Sequence, residues 1–235
     1  MIPNNKNELY AHLIRWDYDS NLDKITLPES SLQFYNGISN GDLFNIFYEK
    51  DYDFLPVKDR VVIDIGANIA DSSIYFAISG AKKVIALEPF PKNFEVAQKN
   101  IALNGLTDKI ELLNAACGSQ SKGMVLDTLA EGVRCQTMQS SSGSNIHFYT
   151  LRELVDKYNI DPPAVLKLDC EGCEYAIILS TGRTILDKFS HIQIDYHHGF
   201  RDLKKHLIDA SFAVSHTNPR DENEMEIGWI YASKS

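Results

Sequence analysis

The sequence predicts a three-layer α/β fold: a doubly wound, mostly parallel sheet with helices on both faces and an antiparallel hairpin at its C-terminal end. Three observations carry this. From residue 60 onward, short runs that are apolar on both faces alternate with helical stretches, as parallel strands buried between helices do. The first run, Val61-Val-Ile-Asp-Ile65, closes on Gly66 and Asn68, and the second, Lys83-Val-Ile-Ala-Leu87, closes on Glu88, so polar chemistry collects at the carboxyl ends of adjacent strands. The last two apolar runs are joined by a turn too short for a parallel crossover.

Residues 1–57 mix short apolar patches with Asn, Asp and Ser, and they read as two or three small elements forming a cap over the substrate approach. Residues 58–235 form the main body, and the whole chain reads as a single domain. A strand at 61–65 is followed by a helix at about 71–79 and a strand at 83–88. The next helix, about 91–104, has Pro89 and Pro91 at its start and the left-handed pair Asn104-Gly105 at its end. A third strand covers 109–114. Residues 119–149, rich in Ser, Gly, Thr and Gln, look like a loop or short hairpin excursion. Alternation resumes with a helix at about 150–158, a strand at 164–169, a helix at about 173–187, a strand at 191–195 and a helix at about 200–210. Runs at 212–216 and 226–232, joined by the turn-rich Asn218-Pro-Arg-Asp-Glu-Asn223, complete the sheet as a hairpin.

Composition narrows the function. With 44% hydrophobic residues in 235, the chain can bury a substantial core. Its 23 basic and 32 acidic residues give a net charge of −9, the wrong sign for a protein whose affinity rests on neutralising phosphates, so nucleic acid is disfavoured as a partner. The first residues lack a charged-then-apolar leader pattern, and no run approaches the roughly 18 apolar residues of a membrane span. A cytoplasmic protein with no membrane partner is expected. Four cysteines make no disulfide framework, so reduced thiols are expected.

Asp64, Gly66 and Glu88 mark a site for the ribose of an adenine-containing cofactor: Gly66 permits a tight bend, and Glu88 can accept hydrogen bonds from both ribose hydroxyls. A dinucleotide fingerprint would need glycines at 66, 68 and 71, whereas the chain has Gly66, Asn68 and Asp71. A side chain at 68 crowds a pyrophosphate and Asp71 repels it, whereas a sulfonium cofactor without phosphate tolerates acidic walls. Asn is also one of the few residues that readily adopt positive φ.

Five motifs then occur in order: Asp64-Ile-Gly-Ala-Asn-Ile-Ala70, Leu87-Glu-Pro89, Asn114-Ala-Ala-Cys-Gly118, Thr150-Leu-Arg-Glu-Leu154 and Lys167-Leu-Asp-Cys-Glu-Gly-Cys-Glu174. Together, over roughly residues 44–200, they resemble the FkbM family of S-adenosylmethionine-dependent methyltransferases. The resemblance implies the seven-stranded class I methyltransferase fold with S-adenosylmethionine as cofactor. It also implies that Asp64, Gly66 and Asn68 form the cofactor loop, that Glu88 is the ribose ligand, and that the turn from Asn114 to Ala116 meets the adenine. Ala70 stands where the family usually has glycine, and Cys170 and Cys173 replace residues that are usually small or apolar.

For catalysis, Asp169, Glu171 and His197 are the candidates to orient the acceptor or take its proton, with His198 beside them. Each has a plain alternative: Asp169 as a backbone or ammonium partner, Glu171 and Glu174 as acids in a helix's first turn, and the histidines as surface residues. The cluster lacks the tight spacing of a metal site, so no metal is assigned. Cys170 and Cys173 lack the second pair that zinc would want and read as ordinary thiols. The function expected is methyl transfer to a hydroxyl on a small molecule or saccharide. An inactive cofactor-binding interaction module stands as the alternative, and N- or RNA methylation is a lesser branch. Trp16, Phe34, Tyr35, Phe44, Tyr48 and Arg134 either line an apolar acceptor cleft or simply pack, and oligomeric state is left open.

Overall fold

Apolar residues at alternate positions of each central strand face two different helical layers, which is the period a sheet buried on both sides requires. In the computed structural model, which describes residues 14–121, 146–222 and 225–234, the strands at the N-terminus are β1 (Asp17–Asp19), β2 (Lys24–Leu27) and β3 (Leu32–Tyr35), an antiparallel meander followed by a π-helical turn, Phe44–Glu49. The main sheet contains β4 (Val61–Ile65), β5 (Lys83–Leu87) and β6 (Ile110–Leu113). A separate two-stranded parallel pair, β7 (Ala115–Cys117) and β8 (His147–Tyr149), follows β6. Strands β9 (Ala164–Leu168), β10 (Phe189–Tyr196), β11 (Ala213–His216), β12 (Arg220–Glu222) and β13 (Met225–Ser233) complete it.

The spatial order is β11-β13-β10-β9-β4-β5-β6, with β12 paired to the start of β13. The order reverses between β4 and β9, which are parallel neighbours, and β13 runs antiparallel to both β10 and β11. This is the doubly wound sheet with a terminal hairpin that the sequence predicts, and the cleft at the switch point is where such folds hold ligands. Helices α1 (Asp71–Ile78) and α2 (Pro91–Leu103) cover one face with Val62, Val84, Ala86 and Val165 beneath them. Helices α3 (Leu151–Lys157), α4 (Cys173–Ser180), α5 (Arg183–Leu186) and α6 (Arg201–Asp209) cover the other over Ile63, Ile65, Ile85, Leu87, Leu166 and Ile194. A capping box at Thr150 and Glu153 starts α3.

Several expectations shift. The helix expected over 173–187 is two helices, because Thr181 is extended and Gly182 restarts the chain. The excursion after residue 119 is no hairpin at its base, since β8 returns parallel to β7. Residues 122–145, including Arg134, lie outside the described residues. Ala116 sits in β7 rather than in a turn. Phe34 is fully buried against Phe47, whereas Phe44 stacks on an exposed Tyr48.

The N-terminal segment is joined to the body by side-chain amides. Asn100 on α2 and Asn104 at its C-terminal cap, one turn apart, present their amides to the free edge of β3. Asn100 accepts from Tyr35 N at 2.8 Å and donates to Tyr35 O at 3.2 Å, and Asn104 makes the same pair with Gln33 at 2.9 and 2.7 Å. A helix thereby imitates a neighbouring strand, because residues four apart on a helix and two apart on a strand lie on one side. The β3 edge is satisfied and the segment is fixed over α1 and α2.

Candidate active site

The bend after β4 is shaped by what packs beneath it. Gly66 has φ of +82°, and its amide and that of Ala67 both donate to Leu87 O on the adjacent strand. A Cβ on Gly66 would stand 1.8 Å from the Asp169 carbonyl oxygen, so any side chain collides with the backbone leaving β9. Asn68 adopts φ of +48°, the left-handed region for which asparagine is suited, and Ala70 adopts +68°.

Asp64 lies under this bend with no solvent exposure. One oxygen is 3.0 Å from Lys167 Nζ, and the other accepts from Ser72 and Ser73 at 2.7 and 2.5 Å. Lys167, equally buried, also donates to Gly66 O at 2.7 Å. Asp64 and Lys167 are register partners on β4 and β9, and Gln193 follows on β10, so a polar row crosses three strands under α1. Asp64 has no atom at the surface, and its contacts hold the form of the loop.

Glu88 is buried and aimed at the same bend: its two oxygens accept from Asn68 N at 2.8 Å and Phe90 N at 2.9 Å. Burial is the main reason its carboxyl is pushed up to about 8, against those two hydrogen bonds. Asn114 is exposed, and its amide holds the chain after Glu88 by donating to the carbonyls of Glu88 and Pro89 at 3.0 and 3.1 Å. Ala116 packs with Phe90, Ile146 and Phe148 in a small apolar cluster apart from the two main cores. Above the loop, Asn40 donates to the side chains of Asn68 at 2.9 Å and Asn93 at 3.0 Å, and its carbonyl accepts from Asn68 at 2.5 Å. Asp42 N donates to Asp71, whose buried carboxyl is pushed up to about 7.

Across the switch point, the carboxyl ends of β9 and β10 bring Asp169, Glu171, Glu174, Asp195 and His197 together. His197 is buried between Glu171, 3.4 Å from Nε2, and Glu174, 3.3 Å from Nδ1. Burial works against its charged form, yet Glu174, Glu171 and Asp195 outweigh it and push the ring up to about 9. Asp195 is pushed up to about 8, first by burial and then by the Asp169 carboxylate. Asp169 is raised too, by burial, with Lys167 opposing at 3.9 Å. Donor atoms of Asp169, Asp195 and His197 all lie within 4.8 Å of one another, a spacing that a cation can bridge. His198, by contrast, is exposed and gives its backbone N–H to Tyr175. The surrounding carboxylates thus favour the imidazolium form of His197, while burial pushes Asp169 and Asp195 toward their protonated forms.

Sequence reasoning missed Lys167, Asp195 and Asn40. Lys167 had a signal: it is the fourth residue of its strand, as Asp64 is of the first, and each is the polar intruder in an apolar run. Cys170 and Cys173 correct an expectation outright. They are joined as a disulfide, because a left-handed Glu171 (φ +57°) and Gly172 (φ +109°) fold the chain back to a Cα separation of 5.5 Å. Cys117 is a buried free thiol, pushed up to about 12 by burial.

This arrangement coincides with a known domain: the Methyltransferase FkbM domain matches residues 64–217, well over half of the chain. The chain belongs to the FkbM methyltransferase family. The match starts later and runs further than the roughly 44–200 stretch over which the sequence resembles the family, taking in α6 and β11. An FkbM methyltransferase from Methylobacillus flagellatus KT superimposes with a TM-score of 0.55 at 14% identity, over 84% of this chain and 49% of that one. TrmK of M. capricolum, solved with S-adenosylhomocysteine, aligns at a TM-score of 0.43 and 18% identity over 76% and 64% of the two chains. In sequence, protein arginine N-methyltransferase 1 of Saccharomyces cerevisiae is 30% identical over 109 residues, 40% of this chain. The match spans only 30% of that curated relative. The FkbM domain of this chain is a methyltransferase domain with the class I α/β fold. Among the described residues, no helix is long and apolar enough to cross a membrane.

Proposed function

We propose that the protein transfers a methyl group from S-adenosylmethionine to a hydroxyl on a small molecule or saccharide. The observation that carries this reading is the carboxylate cluster of Asp169, Asp195 and Glu171 around His197, set directly across the switch point from the Gly66 bend and Glu88. The residues of the bend suit this cofactor: Glu88 retains lone pairs for two ribose hydroxyls, the bend offers no second glycine for a diphosphate, and the acidic edge favours a positive sulfonium. S-adenosylmethionine supplies a methyl on an already activated sulfur. Glu88 would hold the ribose and Asn68 shapes the loop, while the apolar cluster of Phe90 and Ala116 would offer a side for the adenine.

A hydroxyl acceptor must lose a proton as the new bond forms, and most of the remaining acceleration comes from alignment at about 3 Å. Asp169 and Asp195, with raised pKa values, are suited to take that proton, while the His197 imidazolium offsets the negative charge they carry before they accept it. The segment before residue 58 acts as a cap, with Asn40 clasping the cofactor loop from above.

Two measurements test the reading. S-adenosylhomocysteine should raise the melting temperature, and Glu88→Ala should abolish the rise; no shift at millimolar ligand overturns cofactor binding. A panel of hydroxyl, amine and carboxyl acceptors then tests transfer. Binding without any transfer would favour the interaction module, and transfer confined to amines would overturn the hydroxyl assignment.

A further inference from the structure

The cysteine pair is absorbed by nothing above, and it sits between the two halves of the site. Cys170 follows Asp169, and its Cα lies 3.2 Å from where a Cβ on Gly66 would stand. Its backbone N–H donates to Glu174 Oε1 at 3.0 Å, the same oxygen that lies 3.3 Å from His197 Nδ1. Cys173 opens α4, and the disulfide closes a ring around Glu171 and Gly172. Glu171 holds a left-handed backbone that non-glycine residues adopt only when their surroundings impose it, and its carboxylate lies 3.4 Å from His197 Nε2. Where Gly172 lacks a side chain, the ring of His198 lies 3.5 Å away. One covalent bond therefore fixes both carboxylates that flank His197.

We propose that Cys170 and Cys173 are a reversible thiol–disulfide modification site whose oxidation sets the Glu171–Gly172 turn, and with it the acceptor edge of the active site. This inference rests on the reading of that edge as the methyl-acceptor side. The reactant is a small-molecule disulfide in the oxidising direction and a dithiol in the reducing one. In oxidation, the two thiols give up two electrons and two protons; the S–S bond forms between Cys170 and Cys173 while that of the reagent breaks, leaving two reagent thiols. Both sulfur-bearing residues are less than a tenth exposed, so exchange requires the turn to open and is slow compared with that of a surface pair. Reduction releases the constraint on Glu171 and on the Cys170 amide, leaving the Glu88 side of the cofactor site, which is built on β4 and β5, in place.

The test needs no acceptor. The folded protein is incubated with dithiothreitol or with oxidised glutathione, then quenched, alkylated and digested. The peptide containing residues 170–173 should carry two alkyl groups after the first treatment and be lighter by two hydrogens, unalkylated, after the second. Hydrogen exchange at the amides of residues 170–174 should be about tenfold or more faster in the reduced form, while the melting shift with S-adenosylhomocysteine persists in both. A double variant, Cys170→Ser with Cys173→Ser, should exchange at the reduced rate under either reagent. The proposal is overturned if the peptide stays unbonded under oxidised glutathione, if bonded and reduced forms exchange alike, or if the double variant still responds. Loss of the melting shift in both forms would instead strike the cofactor reading, which separates the two failures. Should the double variant not fold, the two wild-type forms decide alone.

Discussion

The carbonyl oxygen of Asp169 occupies the place a Cβ on Gly66 would need, 1.8 Å from its ideal position. This single approach locks the bend after β4 to the first residue past β9, where the proposed acceptor side begins. It also explains why the glycine is demanded twice over, by the positive φ and by the neighbour.

Gly66→Ala should therefore be among the most damaging single changes in the molecule. The backbone of either strand end must move, so a loss of more than about 4 kcal/mol is expected, with S-adenosylhomocysteine binding lost as well. Chemical denaturation monitored by circular dichroism measures the first and a melting shift the second. A variant of wild-type stability would mean that the two strand ends do not meet.

Glu88 predicts a pH dependence with a definite sign. Its carboxyl rises from 4.5 in the unfolded chain to about 8 in the fold, so burial favours the protonated form. The stability it contributes to cofactor-free protein is full below about pH 4.5 and is lost as pH climbs towards 8. Ribose hydroxyls bind the ionised form, so affinity for S-adenosylhomocysteine should strengthen up to about pH 8 and then level off. Glu88→Gln should weaken binding about a hundredfold or more, by two charge-assisted hydrogen bonds, and flatten the profile. Calorimetric titration at several pH values checks both, and affinity that falls over the same range would contradict the assignment.

Lys167 and Asp64 form a wholly buried pair, 3.0 Å apart. Removing one partner strands a charge in the core, so Lys167→Met should cost about 3–5 kcal/mol. Combining it with Asp64→Asn should return part of that loss, because the asparagine still accepts from Ser72 and Ser73 without leaving an orphan charge. Urea denaturation of both single variants and the double variant completes the cycle. Simple additivity would mean that the pair is not coupled.

Legibility in the sequence followed the range of the interactions. Strands β4, β5, β9 and β10 were readable because a strand buried on both faces writes itself as an unbroken apolar run, and the hairpin of β11 and β13 was readable because a short turn permits only one pairing. The break in the helix after Ser180 was concealed by the apolar pattern continuing through Ile185 and Leu186, with Gly182 the one hint. Glu88 and Gly66 stood out because each sits at a strand end, where local chain order already fixes position. Asp195, Asn40 and the disulfide did not, since each acquires meaning only across long sequence separations or through a left-handed turn. Glu171 in that turn is a residue whose type gives no warning of its backbone.

The acid cluster makes the last prediction. If Asp195 with Asp169 takes the acceptor proton, the ionised fraction limits turnover below about pH 8, and kcat should rise about tenfold per pH unit towards that value. The apparent pKa belongs to the coupled pair, since the Asp169 carboxylate raises that of Asp195. Asp195→Asn should lower kcat by about 10²–10⁴, the usual worth of a general base, while leaving cofactor affinity near that of the parent. The sharper test is His197. Its imidazolium pulls the carboxyl of Asp195 down against the burial that raises it, so His197→Asn removes that pull and should shift the rising limb to higher pH. A histidine acting as the base itself would behave otherwise: its loss would remove the limb altogether. Turnover measured from pH 6 to 10, on whichever acceptor the panel yields, distinguishes a displaced limb from a vanished one and so decides which side chain receives the proton.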